Sequence, residues 1–328
     1  MPTDVELLER AARARGQLIE ALAVKVVGQR EVIDLMLVTL LARGHALLVG
    51  VPGLAKTLLV SSLASALDLG FGRVQFTPDL LPADITGTDA LHDEVDPEGR
   101  TRRSIRFLPG PIFHNLILAD EINRTPPKTQ AALLQAMQER NVTVGNKTHP
   151  LPSPFQVFAT RNPIEQEGTY PLPEAQLDRF LLEIEVGYPS EVDEREVARR
   201  TTSARSAIVP RVLAVDALHE LQELVPRVPV TDEAVALAVA LTRRTRPAEG
   251  DSFVQSHVRF GAGPRGSQSL VLAAKATAAL QGAPVADVEH VRSLAIHVLR
   301  HRIVLSHRAE AEGVKTTDVL AKLLTAVR

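Results

Sequence analysis

The chain has 328 residues, of which 45% are hydrophobic and 23% charged, and its formal net charge is −2. A chain of this length is long enough for about two domains and can bury a core that needs no disulfide or metal. It contains no Cys and only 3% aromatic residues, which excludes a disulfide framework, a thiolate metal site and a cysteine nucleophile. The few aromatic residues and the small negative charge also argue against a nucleic-acid-binding protein.

The N-terminal region shows no export or membrane segment. Residues 1–16 carry charges throughout, whereas a signal peptide needs a continuous apolar stretch. The most apolar region, Val32–Val51, is interrupted by Asp34, Arg43 and His45, so it falls short of the roughly 20 apolar residues that span a bilayer. We therefore expect no membrane insertion and a cytoplasmic location.

The first part of the chain alternates short aliphatic runs with helical patterns. This alternation is typical of an α/β domain built on a parallel sheet. Runs without charged side chains suit strands that are buried on both faces. The predicted strands are Ala46–Val49, Val74–Phe76, Leu116–Ala119 and Gln156–Ala159.

After about residue 187 the sequence predicts helices. Ser190, with Asp193 three residues later, and Thr231 are residue types that favour helix N-termini. Apolar periodicity predicts helices over Asp232–Arg244, Gly266–Gln281 and Val285–Leu305. We therefore predict an α/β domain over 1–187 and a smaller all-helical domain over 188–328.

The helical domain carries a basic stretch that contains His297, His301 and His307. Their spacing does not supply a metal cage, and no carboxylate pair completes one. We interpret this stretch as a solvated face of the helical domain rather than a metal or polyanion site.

The strongest local signal lies between the strand Ala46–Val49 and the helical run Leu58–Leu67. A loop that joins a strand to a helix N-terminus points backbone N–H groups inward and can cradle phosphates. Within such a loop, a Lys neutralises phosphate charge and a following Thr ligates Mg²⁺. The alternative is an ordinary strand–turn–helix connection. The loop residues are Gly50, Val51, Pro52, Gly53, Leu54, Ala55, Lys56 and Thr57.

A second signal is the pair of acids, Asp120 and Glu121, that ends the strand Leu116–Ala119. The carboxyl ends of parallel strands are where open α/β sheets bind ligands. Asp120 could hold Mg²⁺, while Glu121 polarises a water for attack on the γ-phosphate. Two acids after a strand are often only a solvated turn, but their position after a phosphate loop favours a nucleotide site.

Three further residues could complete an ATPase site. Asn162 follows the strand Gln156–Ala159, where it could contact the attacking water, although Asn before Pro is also a common turn. Arg179 lies in a short helix that begins near Pro173, and its alternative role is a surface ion pair. Arg265 precedes a helix of the second domain, and its alternative is a solvated loop residue.

Together these motifs resemble those of the MoxR family of AAA+ ATPases over nearly the whole chain. Ala55 departs from the general phosphate-loop pattern, which has Gly there, but is usual in this family, whereas Arg161 stands where Gln is expected. The matching stretches are Val26–Gln29, Gly50–Thr57, Leu80–Gly87, Ala119–Pro127, Gln166–Phe180 and Gly263–Arg265.

The resemblance implies a fold and a role for particular residues. The fold would be an AAA+ domain with a helix-2 insert near 79–112 and a pre-sensor-1 hairpin near 141–151, followed by the lid. ATP would be bound by Val27 and Gly28 at the adenine, by the loop from Gly50 to Leu58, and by Asp120; Thr57 and Asp120 would hold Mg²⁺. The catalytic set would be Lys56, Glu121, Asn162 as sensor 1, Arg179 as arginine finger for the neighbouring subunit, and Arg265 as a sensor 2 acting in cis.

The resemblance also implies partners. We expect a homo-oligomeric ring, a hexamer, that couples ATP hydrolysis to remodelling or assembly of client proteins with von Willebrand factor A domains. An alternative class is a DNA-associated motor or loader, which the composition and the −2 charge disfavour. Another is a nucleotide-binding scaffold without turnover, which the full set of catalytic residue types disfavours.

Overall fold

The computed structural model describes residues 2–95, 101–164, 168–202 and 208–327. The tip of the predicted insert, 96–100, lies outside these ranges, as do Gln166 and Glu167 of the matching stretch Gln166–Phe180. Among the described residues, no helix combines the length and apolar character needed to cross a membrane.

The N-terminal part alternates helices and strands, as predicted for an α/β domain. A 3₁₀ turn at Ile122–Arg124 follows the third strand of the main sheet. The elements are α1 Asp4–Ala23, α2 Arg30–Leu41, β1 Ala46–Val49, α3 Lys56–Ala66, β2 Phe71–Gln75, α4 Pro82–Thr86, β3 Gly87–Val95, β4 Thr101–Pro109, β5 Leu116–Asp120, α5 Pro127–Glu139, β6 Asn141–Val144, β7 Lys147–Pro150, β8 Gln156–Arg161, α6 Glu174–Leu177 and β9 Leu182–Glu185.

Five of these strands form one parallel sheet in the order β2-β5-β8-β1-β9. Ala46 of β1 lies opposite Phe158 on one side and Leu182 on the other. Helices cover both faces, which explains why the central strands are mostly apolar. The fold class predicted from the sequence is confirmed. The edge strand β9 is the member that was not predicted.

Two antiparallel hairpins project from this domain. β3 pairs with β4 from Gly87 opposite Pro109, within the predicted insert. β6 pairs with β7 around a turn at Gly145, whose φ of 57° suits glycine. This second hairpin occupies the residues in which the pre-sensor-1 hairpin was predicted.

The C-terminal part is mostly helical. Ser190 and Thr231 are N-caps, as predicted: each side chain accepts a hydrogen bond from the third residue of its helix. A two-stranded ribbon of β10 and β11 adds to the predicted helices. The elements are α7 Glu191–Thr201, α8 Val215–Arg227, α9 Asp232–Arg244, α10 Ser252–His257, β10 Val258–Phe260, α11 Pro264–Gln281, α12 Val288–Leu299, β11 Val304–Leu305, α13 His307–Glu312 and α14 Thr316–Ala326.

The lid packs directly on the N-terminal helices. α11 contacts α1, α2, α8, α9 and α12, and the apolar side chains of all these helices belong to one continuous buried cluster. The domain boundary near 187–190 stays a prediction. It falls in the connection between the end of β9 and the start of α7.

The predicted helix Val285–Leu305 is shorter than expected. α12 ends at Leu299, and a 3₁₀ turn, Arg300–Arg302, leads into β11. The interpretation of this stretch as a solvated face is wrong for His301, which is buried, and for His297, whose side chain is only 18% exposed; His307 is exposed. The physical reason is that the 3₁₀ turn packs against β9 and bonds to the carbonyl oxygens of Glu183, within that strand, and Phe180, just before it.

Candidate nucleotide site

The loop between β1 and α3 has the shape of a phosphate cradle. Gly50 lies so close to β9 that an added Cβ would stand 2.4 Å from the carbonyl oxygen of Val186. Ala55 has a φ of 56°, a left-handed conformation that turns the chain into α3. The first N–H groups of α3 have no helical acceptor and face the cleft in front of the loop. The loop can therefore surround an anion with backbone donors.

Lys56, the first residue of α3, folds back over this loop. Its Nζ donates a hydrogen bond to the carbonyl oxygen of Gly50. Partial burial lowers the pKa of Lys56, and the nearby carboxylates of Asp120 and Glu121 counteract this shift. The ammonium thus bonds to the loop and is attracted by the two acids, and a bound phosphate would become a further acceptor.

Asp120 ends β5 and is held by two neighbouring strands. Thr160, on β8, donates its hydroxyl to Asp120 Oδ1 (2.7 Å), and the Arg73 guanidinium on β2 lies 2.7 Å from Asp120 Oδ2. The same Thr160 hydroxyl accepts from the N–H of Glu121 (2.8 Å). Thr160 therefore fixes the positions of both acids.

Glu121 is oriented by two polar side chains. Its Oε2 accepts hydrogen bonds from Gln75 Nε2 (2.8 Å), at the end of β2, and from Arg124 Nη1 (2.9 Å). Its backbone, at a φ of 58°, is left-handed. The carboxylate is thus held at the carboxyl edge of the sheet, beside the phosphate loop.

A cleft of about 500 Å³ brings these groups together. Asn162 lies at its margin and is 6% exposed; its Oδ1 accepts from the N–H of Ile164 (3.2 Å), so it also forms the turn considered from the sequence. The lining residues are Pro52, Gly53, Leu54, Ala55, Lys56, Thr57, Leu58, Arg73, Gln75, Asp120, Glu121, Thr160 and Asn162.

The donor set of the cleft fits Mg²⁺ held together with a phosphate. The Thr57 hydroxyl and the Asp120 carboxylate are hard oxygen ligands, which Mg²⁺ prefers, and Mg²⁺ commonly takes only one or two ligands from the protein. Among the described residues, no group of three or more His, Cys, Asp or Glu side chains could hold a metal ion by itself. A metal here would therefore depend on phosphate and water oxygens as well.

A smaller cavity of about 250 Å³ lies on the other side of the phosphate loop. Val27, Leu58 and Val197 give it apolar walls, and its size and position suit a base attached to the phosphates. Gly28 adjoins it: a Cβ there would stand 2.8 Å from Asp193 Oδ2. The lining residues are Lys25, Val26, Val27, Gln29, Gly53, Leu54, Ala55, Leu58, Pro189, Val197, Arg200 and Thr201.

Arg179 lies at the amino ends of the strands, opposite the carboxyl ends at which the cleft lies. It precedes the start of β9, and the phosphate loop follows the end of β1, which runs parallel to β9. The four-residue length of β9, about 13 Å, separates the two positions. The Arg179 guanidinium is half-buried and has no hydrogen-bond or ion-pair partner among the described residues. Arg179 is not among the residues that line the cleft of its own chain.

Arg265 lies near Arg179 rather than near the phosphate loop. Its Nη1 is 3.5 Å from Asp178 Oδ2, and it is absent from the residues that line the cleft. Arg265 therefore does not line the cleft of its own chain in this arrangement, and its contact with a γ-phosphate in cis stays a prediction. The reason for its position is that the lid packs on α1 and α2, which places the start of α11 near the amino ends of the strands.

Sequence reasoning missed Arg73, Gln75 and Thr160. A signal for them did exist: Thr160 follows the predicted strand Gln156–Ala159, and Arg73 and Gln75 share one face of β2 by their spacing of two. Only the strand order β2-β5-β8 shows that these three side chains surround the same two acids.

Comparisons with known proteins agree with this arrangement. The family described as "ATPase family associated with various cellular activities (AAA)" matches residues 45–182, and the AAA lid domain matches residues 250–323. With the parallel sheet, the phosphate-loop cleft and the helical lid, these matches define the class: an AAA+ ATPase domain followed by its lid.

Similar proteins narrow the class to a family. The chaperone MoxR1 of Mycobacterium tuberculosis is 42% identical over 329 residues, covering 100% of this chain and 83% of the relative. YeaC of Bacillus subtilis is 40% identical, covering 95% of this chain and 94% of the relative. The crystal structure of a candidate ATPase from Cytophaga hutchinsonii has a TM-score of 0.88 at 40% identity and covers 98% of this chain and 97% of its own. The chain belongs to the MoxR family of AAA+ ATPases.

Proposed function

We propose that this protein is a Mg²⁺-dependent ATPase that hydrolyses ATP to ADP and phosphate at sites shared between the subunits of a cytoplasmic, hexameric ring. The observation that carries the proposal is the division of the site residues between two edges of one sheet. Lys56, Glu121 and Asn162 meet at the carboxyl ends of the strands, while Arg179 lies at the amino ends and has no partner within the described part of the chain.

At the first edge, the phosphate loop and Lys56 bind the β- and γ-phosphates, while the cavity beside Val27 and Gly28 receives the adenine. Thr57 and Asp120 would hold Mg²⁺, which neutralises phosphate charge in such sites. Glu121 polarises the attacking water, and Asn162 orients it against the γ-phosphate. Gln75 and Arg124 hold Glu121 and thereby limit its rotation before a water is in place.

At the amino ends of the strands, Arg179 acts in the nucleotide site of a neighbouring subunit. A head-to-tail interface puts one edge of each subunit against the other edge of the next, and such interfaces form a ring where the rotation between subunits closes. A free guanidinium at that interface can stabilise the charge that develops on the transferred phosphoryl group. Arg265, on the same edge, would contact the same neighbouring nucleotide.

The proposed biological role is remodelling or assembly of client proteins. The relative from Mycobacterium tuberculosis is named a chaperone. The two projecting hairpins offer each subunit a means to contact a client. Clients with von Willebrand factor A domains are proposed from the family resemblance.

Subunit mixing tests the shared site. Lys56→Ala removes the phosphate contact and Arg179→Ala removes the finger, so each variant alone should lose nearly all ATPase activity, the finger contributing about 10³–10⁵-fold. Mixed in one ring, the intact loop of an Arg179→Ala subunit meets the intact Arg179 of a Lys56→Ala neighbour. We expect ATPase activity to reappear on mixing and to increase with protein concentration.

The control for this experiment is proof that mixed rings form, by co-purification of two differently tagged variants. No recovery in confirmed mixed rings would overturn the shared site. Pull-down with an ATP-loaded Glu121→Gln variant, which should retain clients, tests the proposed role separately. Recovery of proteins without von Willebrand factor A domains would contradict the proposed client class.

A further inference from the structure

We infer that Arg302 of the lid is a positioning residue for Arg179, so that the lid of one subunit sets the finger presented to the next. The inference rests on the proposed function, because it takes Arg179 to act across a subunit boundary. Arg302 belongs to the 3₁₀ turn Arg300–Arg302, called here the lid clamp.

Arg302 binds the backbone on both sides of Arg179. Its Nε donates to Asp178 Oδ1 (2.9 Å), and its Nη2 donates to the carbonyl oxygens of Phe180 (2.7 Å) and Asp178 (3.3 Å). Its Nη1 reaches the carbonyl oxygen of Leu181 (3.4 Å). The residues before and after the finger are therefore held by one guanidinium.

The Arg302 side chain is almost completely buried, with 2% of its surface exposed. Burial lowers the pKa of Arg302 to about 10, against the opposing effect of Asp178, so the group stays charged near neutral pH. A buried charge costs several kcal/mol unless it is paired and fully hydrogen-bonded. Such a group has few alternative positions, and the segment that it binds shares that restriction.

Arg300, also in the lid clamp, binds the neighbouring strand β9, and the start of α11 adds a contact to the segment itself. Arg300 pairs with Glu183 (3.1 Å) and donates to the Glu183 carbonyl oxygen (2.8 Å), while Arg265 adds a second lid contact to Asp178. The α/β domain itself holds Leu181, whose N–H donates to the carbonyl oxygen of His45 (2.8 Å). The N–H groups of residues 178–180 bond within the α/β domain, whereas the Asp178 carboxylate and the carbonyl oxygens of Asp178 and Phe180 bond to the lid.

The position of the Arg179 side chain depends on the backbone segment that carries it. The Arg179 guanidinium has no side-chain partner among the described residues, so the segment around it determines where it points. A displacement of about 1 Å in a catalytic group can cost about 10²-fold in rate. Loss of the Arg302 contacts should therefore impair the finger while leaving the phosphate loop of the same subunit intact.

Complementation between variants separates this role from a merely structural one. Arg302→Gln alone should lose at least tenfold in kcat while binding ATP normally. Mixed with Lys56→Ala, it should recover activity. The phosphate loop of the Arg302→Gln subunit is intact and meets the undisturbed Arg179 of a Lys56→Ala subunit. Mixed with Arg179→Ala, it should not recover, because both subunits then carry defective fingers. Arg302→Gln would thus behave as an Arg179 variant.

Arg292→Gln is the matched control. Arg292 is also a lid arginine that donates to two backbone carbonyls, those of Leu324 (3.0 Å) and Val327 (2.6 Å), but both acceptors lie within the lid. It should keep most ATPase activity even if the lid loses stability. If Arg302→Gln does not fold, Arg302→Lys and Asp178→Asn replace it, since each weakens the same contact more mildly.

The outcomes are distinct. If Lys56→Ala and Arg179→Ala fail to complement each other, both the shared site and this inference are overturned. If they complement each other but folded Arg302 variants do not recover with Lys56→Ala, the inference alone is overturned, because Arg302 then serves its own subunit's site. Full activity of Arg302→Gln by itself would also overturn it.

Discussion

At the scale of single residues, the candidate site combines charges that local hydrogen bonds keep in place. Thr160 fixes Asp120 and the backbone of Glu121, and Gln75 and Arg124 bind the Glu121 carboxylate. Lys56 lies opposite the acids with a pKa lowered by burial. In the proposed function, binding and bond cleavage depend on different side chains, which single substitutions can separate.

Glu121→Gln should retain ATP binding and lose turnover. The carboxylate matters when the water attacks, so we expect kcat to fall by about 10²–10⁴-fold with little change in affinity. Lys56→Ala should instead weaken ATP binding by at least about tenfold, because its charge is used in the ground state. Nucleotide titration and steady-state kinetics measure the two effects. Wild-type turnover in Glu121→Gln would remove Glu121 from the mechanism.

The buried His45 should make stability depend on pH. Its Nδ1 accepts from the N–H of Val157 (3.0 Å), its Nε2 donates to the Met137 carbonyl oxygen (3.1 Å), and burial lowers its pKa from 6.5 to about 4. The neutral form is favoured in the folded state, so this stabilisation is complete above pH 6.5 and is lost as the pH falls towards 4. Roughly 2–3 kcal/mol should disappear between pH 7 and 4.5.

Urea unfolding at the two pH values tests this expectation. His45→Asn should show a smaller loss of unfolding free energy on acidification than the natural protein. His307→Asn is the control, because the side chain of His307 is 93% exposed. This variant should lose as much unfolding free energy on acidification as the natural protein. Equal pH dependence in all three proteins would contradict a neutral His45.

At the scale of elements, the strand-to-helix connection determines what the nucleotide contacts. The loop after β1 turns through Gly53, with a φ of 84°, and Ala55, with a φ of 56°. Left-handed backbone is strained for any residue with a Cβ. Ala55 thus carries strain at the position where the general phosphate-loop pattern has glycine, and the contacts of α3 must offset it.

Ala55→Gly should therefore raise the free energy of unfolding by about 1 kcal/mol, because glycine adopts this conformation without strain. Gly53→Ala is the matched control, in which a Cβ is added to left-handed backbone rather than removed from it. An added Cβ there meets nothing within 4 Å, so a loss of about 1 kcal/mol would report backbone strain alone. Urea denaturation without nucleotide measures both changes. A destabilised Ala55→Gly variant would contradict the assigned backbone conformation.

At the scale of the whole molecule, the packing of the lid decides what each subunit offers its neighbours. α11 packs on α1 and α2, α12 packs against β9, and the lid clamp bonds to the same strand. The result is a subunit with a nucleotide cleft at one edge of its sheet and Arg179 and Arg265 at the other. Assembly and nucleotide binding should therefore be linked.

ATP retained by Glu121→Gln should promote ring formation, since a ligand contacted by two subunits favours the assembled state. Sedimentation should show a large species at protein concentrations where the nucleotide-free protein dissociates. The double variant Glu121→Gln, Arg179→Ala should need roughly tenfold more protein, which corresponds to about 1.4 kcal/mol. Identical sedimentation of both variants with ATP would indicate that Arg179 makes no contact with the neighbour's nucleotide.

The sequence by itself determined the features that depend on neighbouring residues. Local periodicity, hydrogen-bonding capacity and the chain reversal that a loop requires were enough to predict several features. These are strand β1, the phosphate loop, the acids at the end of β5 and the caps at Ser190 and Thr231. These properties are set within a few residues, so they can be predicted without a three-dimensional structure.

Only the tertiary structure decided which distant groups meet. Arg302 and Asp178 are 124 residues apart in sequence, and the basic stretch around His301 was interpreted as a solvated face because its local pattern is polar. Burial of such groups becomes favourable only when another segment supplies acceptors, here Asp178 and the carbonyl oxygens at the start of β9. The same holds for Arg265, whose distance from the phosphate loop depends on where the lid packs.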